Sequence, residues 1–160
     1  MWVVVGVVMA VVLVATYLTW TAARVDRLHA RAAAAFSALD ANLVRRAAAV
    51  LELSERRGEG DLQTVAKAAL AAHPDDRELA ENDLTRALRK VATPAAVLTD
   101  RDPLHVAIVA SRRVELARQV HNDLVRDARS ARRRPLVRLL GLSRRHPEPR
   151  FFDIDDPSLE

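Results

Sequence analysis

An all-α protein is predicted: an amino-terminal membrane-crossing helix that continues into an antiparallel up-down bundle of long helices. Three observations predict it. No residue from Trp2 to Ala23 is charged. Glycine is scarce, with four in 160 residues, and the rest of the chain is rich in alanine, leucine and arginine, all good helix formers. Beyond the uncharged run, the apolar residues return at steps of three and four, the period of a helix with one buried face.

At about 1.5 Å of rise per residue, the uncharged run covers a hydrocarbon core of roughly 30 Å. Trp2 stands at one end and Tyr17 and Trp20 at the other, the depths that amphipathic rings prefer. Together with Arg24 and Arg27 they are the expected membrane-interface residues. A cleaved signal peptide is the rival reading, but it calls for Lys or Arg ahead of a shorter apolar core, and only Met1 precedes Trp2. The charges that follow, Arg24, Asp26, Arg27 and Arg31, are mostly basic. The positive-inside rule therefore predicts a single-pass protein of the bacterial inner membrane, amino terminus outside and residues 24 to 160 in the cytoplasm.

This divides the chain into an anchor over 1–23, a helical bundle over 24–142 and an extended tail over 143–160. With no cysteine, disulfides, thiolate metal sites and thiol catalysis are excluded. The formal net charge of +4 hides an asymmetry: basic residues crowd Arg112 to Arg150, while Asp153, Asp155, Asp156 and Glu160 make the end acidic.

The first helix is expected to run unbroken from the span to Gly58, because no Pro or Gly interrupts the chain between Gly6 and Gly58. Its seam is Phe36, Leu39, Leu43, Arg46, Val50 and Leu53, and Arg46, the charged member, has a stem long enough to snorkel to solvent. Arg56 and Arg57 in the last turn suit the helix dipole. Asp61 is expected to cap a second helix, with Leu62, Val65, Ala66, Ala69 and Leu70 on one face, ended by Pro74. Asp75 with Glu78 makes a capping-box-like start for a third, striped by Ala80, Leu84, Ala87, Leu88 and Val91 and ending before Pro94. Residues 93 to 102 read as a loop. Asp102 and Pro103 then form an N-cap and first helical position for a last long helix, to about Arg134, with Val106, Val109, Leu116, Val120 and Leu124 inward. Pro135 breaks it, and a short apolar turn from Leu136 to Leu140 closes at Gly141.

Taking the second and third helices as one layer broken at His73 and Pro74 gives three layers. The last helix then points away from the membrane and carries Arg132, Arg133 and Arg134 on the order of 40 to 50 Å from the bilayer at about 1.5 Å per residue. That is too far for lipid attraction screened within about 10 Å.

Asn42, Asn82 and Asn122 sit in different helices beside apolar residues, as do Asp40, Glu81 and Asp123. With Arg46, the residues Asp40, Asn42, Asn82 and Asn122 are expected to form a polar network that fixes helix register. The histidines at 29, 73, 105, 121 and 146 make no metal-ligand spacing, and no nucleophile elbow or phosphate loop is present. Catalysis, metals and cofactors are therefore not expected. The stretch Arg126 to Arg145 lacks aromatics to stack a base, so a solvated basic face is the plainer reading than nucleic-acid binding.

The string Ala35-Phe36-Ser37-Ala38-Leu39-Asp40-Ala41-Asn42-Leu43-Val44-Arg45-Arg46, set after an amino-terminal apolar helix, resembles the signature of the LemA family. Ala117 to Asp127 is similar to that family's Ala-Arg, Tyr-Asn, Val segment. Pro135 to Leu142 followed by Phe151 and Phe152 resembles its closing pattern, and Glu81-Asn82-Asp83-Leu84 is a weaker match. Departures fall at His121, where the family usually has Tyr, at Ala128 and Arg129, and at Ala47 to Ala49. The resemblance implies a single-pass bacterial membrane protein with a cytoplasmic helical bundle and no assigned enzymatic activity.

The expected function is a non-enzymatic, membrane-tethered scaffold whose helical rod presents a surface to a cytoplasmic or membrane protein, or to a second copy of itself. Arg132, Arg133 and Arg134 with Phe151 and Phe152 form its expected docking end. The alternative is a nucleic-acid tether through the arginine-rich stretch. A receptor that signals by helix rotation would need a larger outside portion.

Overall fold

The computed structural model describes residues 1–92, 102–141, 147–155 and 157, and every regular element among them is a helix. Apart from Asp102, the loop expected over 93 to 102 lies outside the described residues, as do 142–146, 156 and 158–160 of the expected bundle end and tail. The chain forms two compact units. Unit 1 comprises Met1–Ala34 and Asp123–Arg150, and unit 2 comprises Ala35–Asn122 and Phe151–Glu160.

Helix α1 spans Trp2–Arg57 without a break, as the lack of Pro and Gly after Gly6 requires. Gly58 stops it at φ +71°, a left-handed conformation that favours glycine, and the Glu59 N–H donates to the Ser54 carbonyl at 3.0 Å, closing a Schellman-type end. Helix α2, Gly60–Ala71, starts immediately. Asp61 is not its cap but lies in its first turn, where a negative charge meets the positive end of the dipole. A turn follows, with the Asp76 N–H donating to the His73 carbonyl at 2.9 Å, and α3 covers Arg77–Val91 with Asp76 rather than Asp75 at its N-cap. Helix α4, Pro103–Arg132, opens as its sequence dictates: the Leu104 N–H donates to Asp102 Oδ1 at 2.8 Å and Pro103 takes the first position. It stops at Arg132, and Pro135 starts a one-turn helix α5, Pro135–Leu139, followed by Gly141 at φ +65°.

The main core of unit 2 joins Val50 and Leu53 of α1, Leu62, Ala66 and Ala69 of α2, Leu84 and Leu88 of α3, and Leu104 and Ala107 of α4. A second cluster joins Leu39, Leu43 and Val114 to Phe152 and Ile154. Partners on α1 and α3 advance together: Asp40 with Arg77, Arg46 with Glu81, and the Arg57 guanidinium donating to the Val91 carbonyl at 3.4 Å. Those on α1 and α4 run oppositely, since Leu104 and Ala107 cluster with Val50 and Leu53, Val114 with Leu39 and Leu43, and the His121 ring lies 5.5 Å from Phe36.

Three expectations are corrected here. The turn at His73–Asp76 makes α2 and α3 two legs instead of one broken layer, so counting layers misplaces everything after them. In unit 1, Val137 accordingly packs with Val25 and Ala22, beside the end of the apolar run, not far along the chain from it. The face of α4 that is buried is Leu104, Ala107, Ser111, Val114, His121, Val125 and Ala128, with Ala or Ser at three of the seven positions, whereas Val106, Leu116 and Val120 stand 44, 63 and 47% exposed and Val109 and Leu124 are half-buried. Small residues let helix backbones approach closely, and that outweighs the larger apolar content of the other stripe. The end of the chain is also not a separate tail: Phe152, Ile154 and Pro157 are buried in unit 2.

Candidate functional site

Within unit 1 the apolar run is left uncovered by the described residues. Trp2 is 86% exposed, Val3 through Val14 remain open, and the most apolar window of α1 is wholly unburied. One helix is thus long and apolar enough to cross a membrane. At its far end Tyr17 and Trp20 lie with ring centroids 6.5 Å apart, and the Arg24 guanidinium carbon sits 5.7 Å from the Trp20 centroid, within cation-π range. Arg27 follows one turn on, exposed.

The arginines expected at a distance come back to this end. Arg132 Nη1 lies 3.2 Å from His29 Nε2 and donates to the Pro147 carbonyl at 3.5 Å. Arg129 donates to the Pro149 carbonyl at 2.8 Å and pairs with Glu148 at 3.3 Å. Arg133 is exposed, and Arg134 lines a groove with Trp20, Thr21 and Arg24. The expected separation of 40 to 50 Å between these arginines and the end of the apolar run does not exist. The basic stretch, expected to be a solvated face, is exposed at Arg133, Arg134 and Arg138 and engaged elsewhere: Arg126 pairs with Asp123 at 2.7 Å, and Arg129 and Arg132 serve intramolecular contacts.

Inside unit 2 the polar residues resolve into pairs rather than one network. Arg46 does not snorkel. It is fully buried, and its Nη2 donates to Glu81 Oε2 at 2.6 Å and to the Glu81 carbonyl at 3.0 Å. Burial, the largest influence, pushes the Glu81 carboxyl above its usual range and the Arg46 guanidinium below its own, and their mutual attraction opposes both shifts. Arg46 Nε and Nη1 and Glu81 Oε1 have no partner among the described residues, so the pair is only half satisfied. Asp40 accepts from Arg77 at 2.9 Å, and Arg77 also donates to the Ala69 carbonyl, tying α1, α2 and α3 together. Asn42 donates within its own helix, to Ala38 at 2.8 Å.

Asn82 and Asn122 have a different task. The Asn122 side chain both donates to the Phe152 carbonyl and accepts from its N–H, each at 3.0 Å, as a neighbouring strand would. Asn82 accepts from the Asp155 N–H at 2.7 Å, and Glu78 from that of Asp153 at 3.0 Å. Phe152, half of the expected docking pair, is therefore core, 5% exposed, while Phe151 remains 40% exposed. The alternation Phe152-Asp153-Ile154-Asp155 is the sequence signal for such a half-buried extended segment. Replacing Asn122 with alanine is expected to cost about 1 to 3 kcal/mol, two hydrogen bonds' worth. Chymotryptic cleavage at Phe152 should speed up, and cleavage at the parent rate would contradict the clamp.

No group of three His, Asp or Glu able to hold a metal ion occurs among the described residues. Compared with known proteins, the chain matches no family model, no curated protein and no solved structure.

Proposed function

We propose that this protein is a membrane-tethered, non-enzymatic helical scaffold: α1 crosses the bacterial inner membrane, its amino terminus outside, and continues into an antiparallel up-down bundle in the cytoplasm. The observation that carries the reading is the bare apolar stretch of α1, far larger in contiguous extent than a soluble monomer normally leaves to water. Arg24, Arg27 and Arg31 after it, with Arg134 brought to the same end, supply the positive charge that favours retention on the cytoplasmic side. The opposed order of partners along α1 and α4 supports the antiparallel arrangement. The blocks that resemble the LemA family contribute Asp40, Arg46, Glu81 and Asn122, whose contacts hold unit 2 together, which is consistent with membership.

The presented surface is the outer stripe of α4. Val106, Leu116 and Val120 repeat at helical spacing and stay exposed. An amphipathic partner helix, from another protein or a second copy, fits such a stripe. The arginine stretch, partly engaged within the molecule, gives the nucleic-acid reading no support.

The chain should remain in the membrane pellet after alkaline extraction, and a photo-crosslinker at Leu116 in intact cells should yield a discrete larger species that Val120→Asp abolishes. Extraction into the alkaline supernatant would overturn the tether. Monomer alone at native expression would overturn the scaffold.

A further inference from the structure

Unit 1 contains a groove of about 160 Å³ where residues Tyr17 to Val25 of α1 meet Ala131 to Val137. Its lining combines three kinds of chemistry. Tyr17, Val25 and Leu136 give it apolar walls, and Arg24 and Arg134 give it two exposed guanidinium groups. Neither arginine has an ion-pair partner among the described residues. The third contribution is Thr21, 8% exposed, whose Oγ1 lies buried with no hydrogen-bond partner among the described residues.

That hydroxyl is out of character for its helix. Thr16 and Thr19 satisfy theirs by donating to the carbonyls of Val12 and Ala15, at 2.8 and 2.9 Å. A buried, unpaired hydroxyl is destabilising, and an oxygen arriving from outside relieves it. A phosphate supplies such oxygens, together with the negative charge that two unpaired guanidinium groups attract.

We propose that this groove is a binding site for the headgroup of an anionic phospholipid. The phosphate is held by Arg24 and Arg134, Thr21 Oγ1 donates to one of its oxygens, and the first acyl carbons lie against Tyr17 and Leu136. A lipid accounts for the lining better than free phosphate does, because inorganic phosphate has no use for apolar walls. The groove also sits level with Trp20, whose ring marks headgroup depth in the membrane-spanning reading on which this proposal rests.

The test uses the full chain with Trp2→Phe, which leaves Trp20 as the sole tryptophan, reconstituted in phosphatidylcholine nanodiscs with a minor fraction of phosphatidylglycerol. Bromine is carried high on the acyl chains of one lipid or the other, at matched bromine content. Trp20 should be quenched preferentially by brominated phosphatidylglycerol. Arg134→Ala should reduce that preference about fivefold, as expected for one basic group near an anionic surface. Thr21→Val, which changes no charge, should reduce it several-fold, whereas Arg138→Ala, a basic residue outside the groove, should change it little. If Arg138→Ala matches Arg134→Ala and Thr21→Val has no effect, diffuse attraction explains the preference and the site is refuted. Equal quenching by both lipids refutes the site but leaves the spanning helix intact. Quenching by neither overturns the membrane reading and the site together. In phosphatidylcholine nanodiscs alone, inorganic phosphate should produce no 31P line broadening sensitive to Thr21→Val; if it does, free phosphate is the ligand and the lipid assignment falls.

Discussion

Replacing Glu81 with alanine is expected to destabilise unit 2 by about 3 to 5 kcal/mol, because it leaves the fully buried Arg46 guanidinium without its counter-charge. The converse is as informative. Replacing both partners with apolar residues, Arg46→Met with Glu81→Leu, should leave stability unchanged or raise it by about 1 to 4 kcal/mol, since three polar atoms of the pair already lack partners and their desolvation is uncompensated. Urea denaturation in mild detergent, followed by the helical circular dichroism signal, measures both. A double variant as unstable as the single one would mean that the pair contributes net stability, and the argument from its unmet hydrogen bonds would fail. A stable double variant then asks what the pair is for. Its position between α1 and α3 suits a register device: the guanidinium reaches both the carboxylate and the carbonyl of one residue, so a slip of α3 along α1 would break two bonds at once.

The second large effect concerns the span. Val8→Lys with Val12→Lys places two charges near the middle of the apolar run, each costing about 2.5 to 3.5 kcal/mol for insertion. Together they should remove most of the free energy that holds the helix in the bilayer. Most of the protein should then move from the alkaline-resistant membrane pellet to the soluble or aggregated fraction. Val44→Lys, which adds the same charge at an exposed position of unit 2, should leave it in the pellet. If the doubly charged variant stays membrane-bound like the parent, retention depends on some other segment.

Helix existence was legible because the signals were local. The uncharged run, Gly58 as a stop and Asp102-Pro103 as a start each act within a few residues, and the structure uses all three. The seam of α1 was legible for the same reason, Leu39, Leu43, Val50 and Leu53 being apolar and buried with the charged Arg46 between them, whereas Phe36 at its head stands 45% exposed. What failed was long-range. On α4 two stripes compete, and the more hydrophobic one is left outside because close helix packing selects Ala107, Ser111 and Ala128 over Val106, Leu116 and Val120. The direction of α4 depended on whether His73-Pro74 kinks a helix or reverses it, a choice decided by contacts that α3 makes with α1. Asn122 and Asn82 looked like members of an interhelical network; their actual partners lie 30 and 73 residues away, in backbone that no local pattern connects to them. The groove around Thr21 was invisible for the same reason, since half of it arrives from beyond residue 130.

The burial of Phe152 and Ile154 against Leu39 and Leu43 has a consequence for biosynthesis. A ribosome emitting this chain at about 5 to 20 residues per second releases the first partners of that cluster long before the last ones exist. Until Phe152 and Ile154 have emerged, a sticky notch stays wet on every nascent molecule. A nascent chain cut short ahead of Phe152 would therefore leave Leu39, Leu43 and Val114 uncovered, a product with its helices made and its core unsealed.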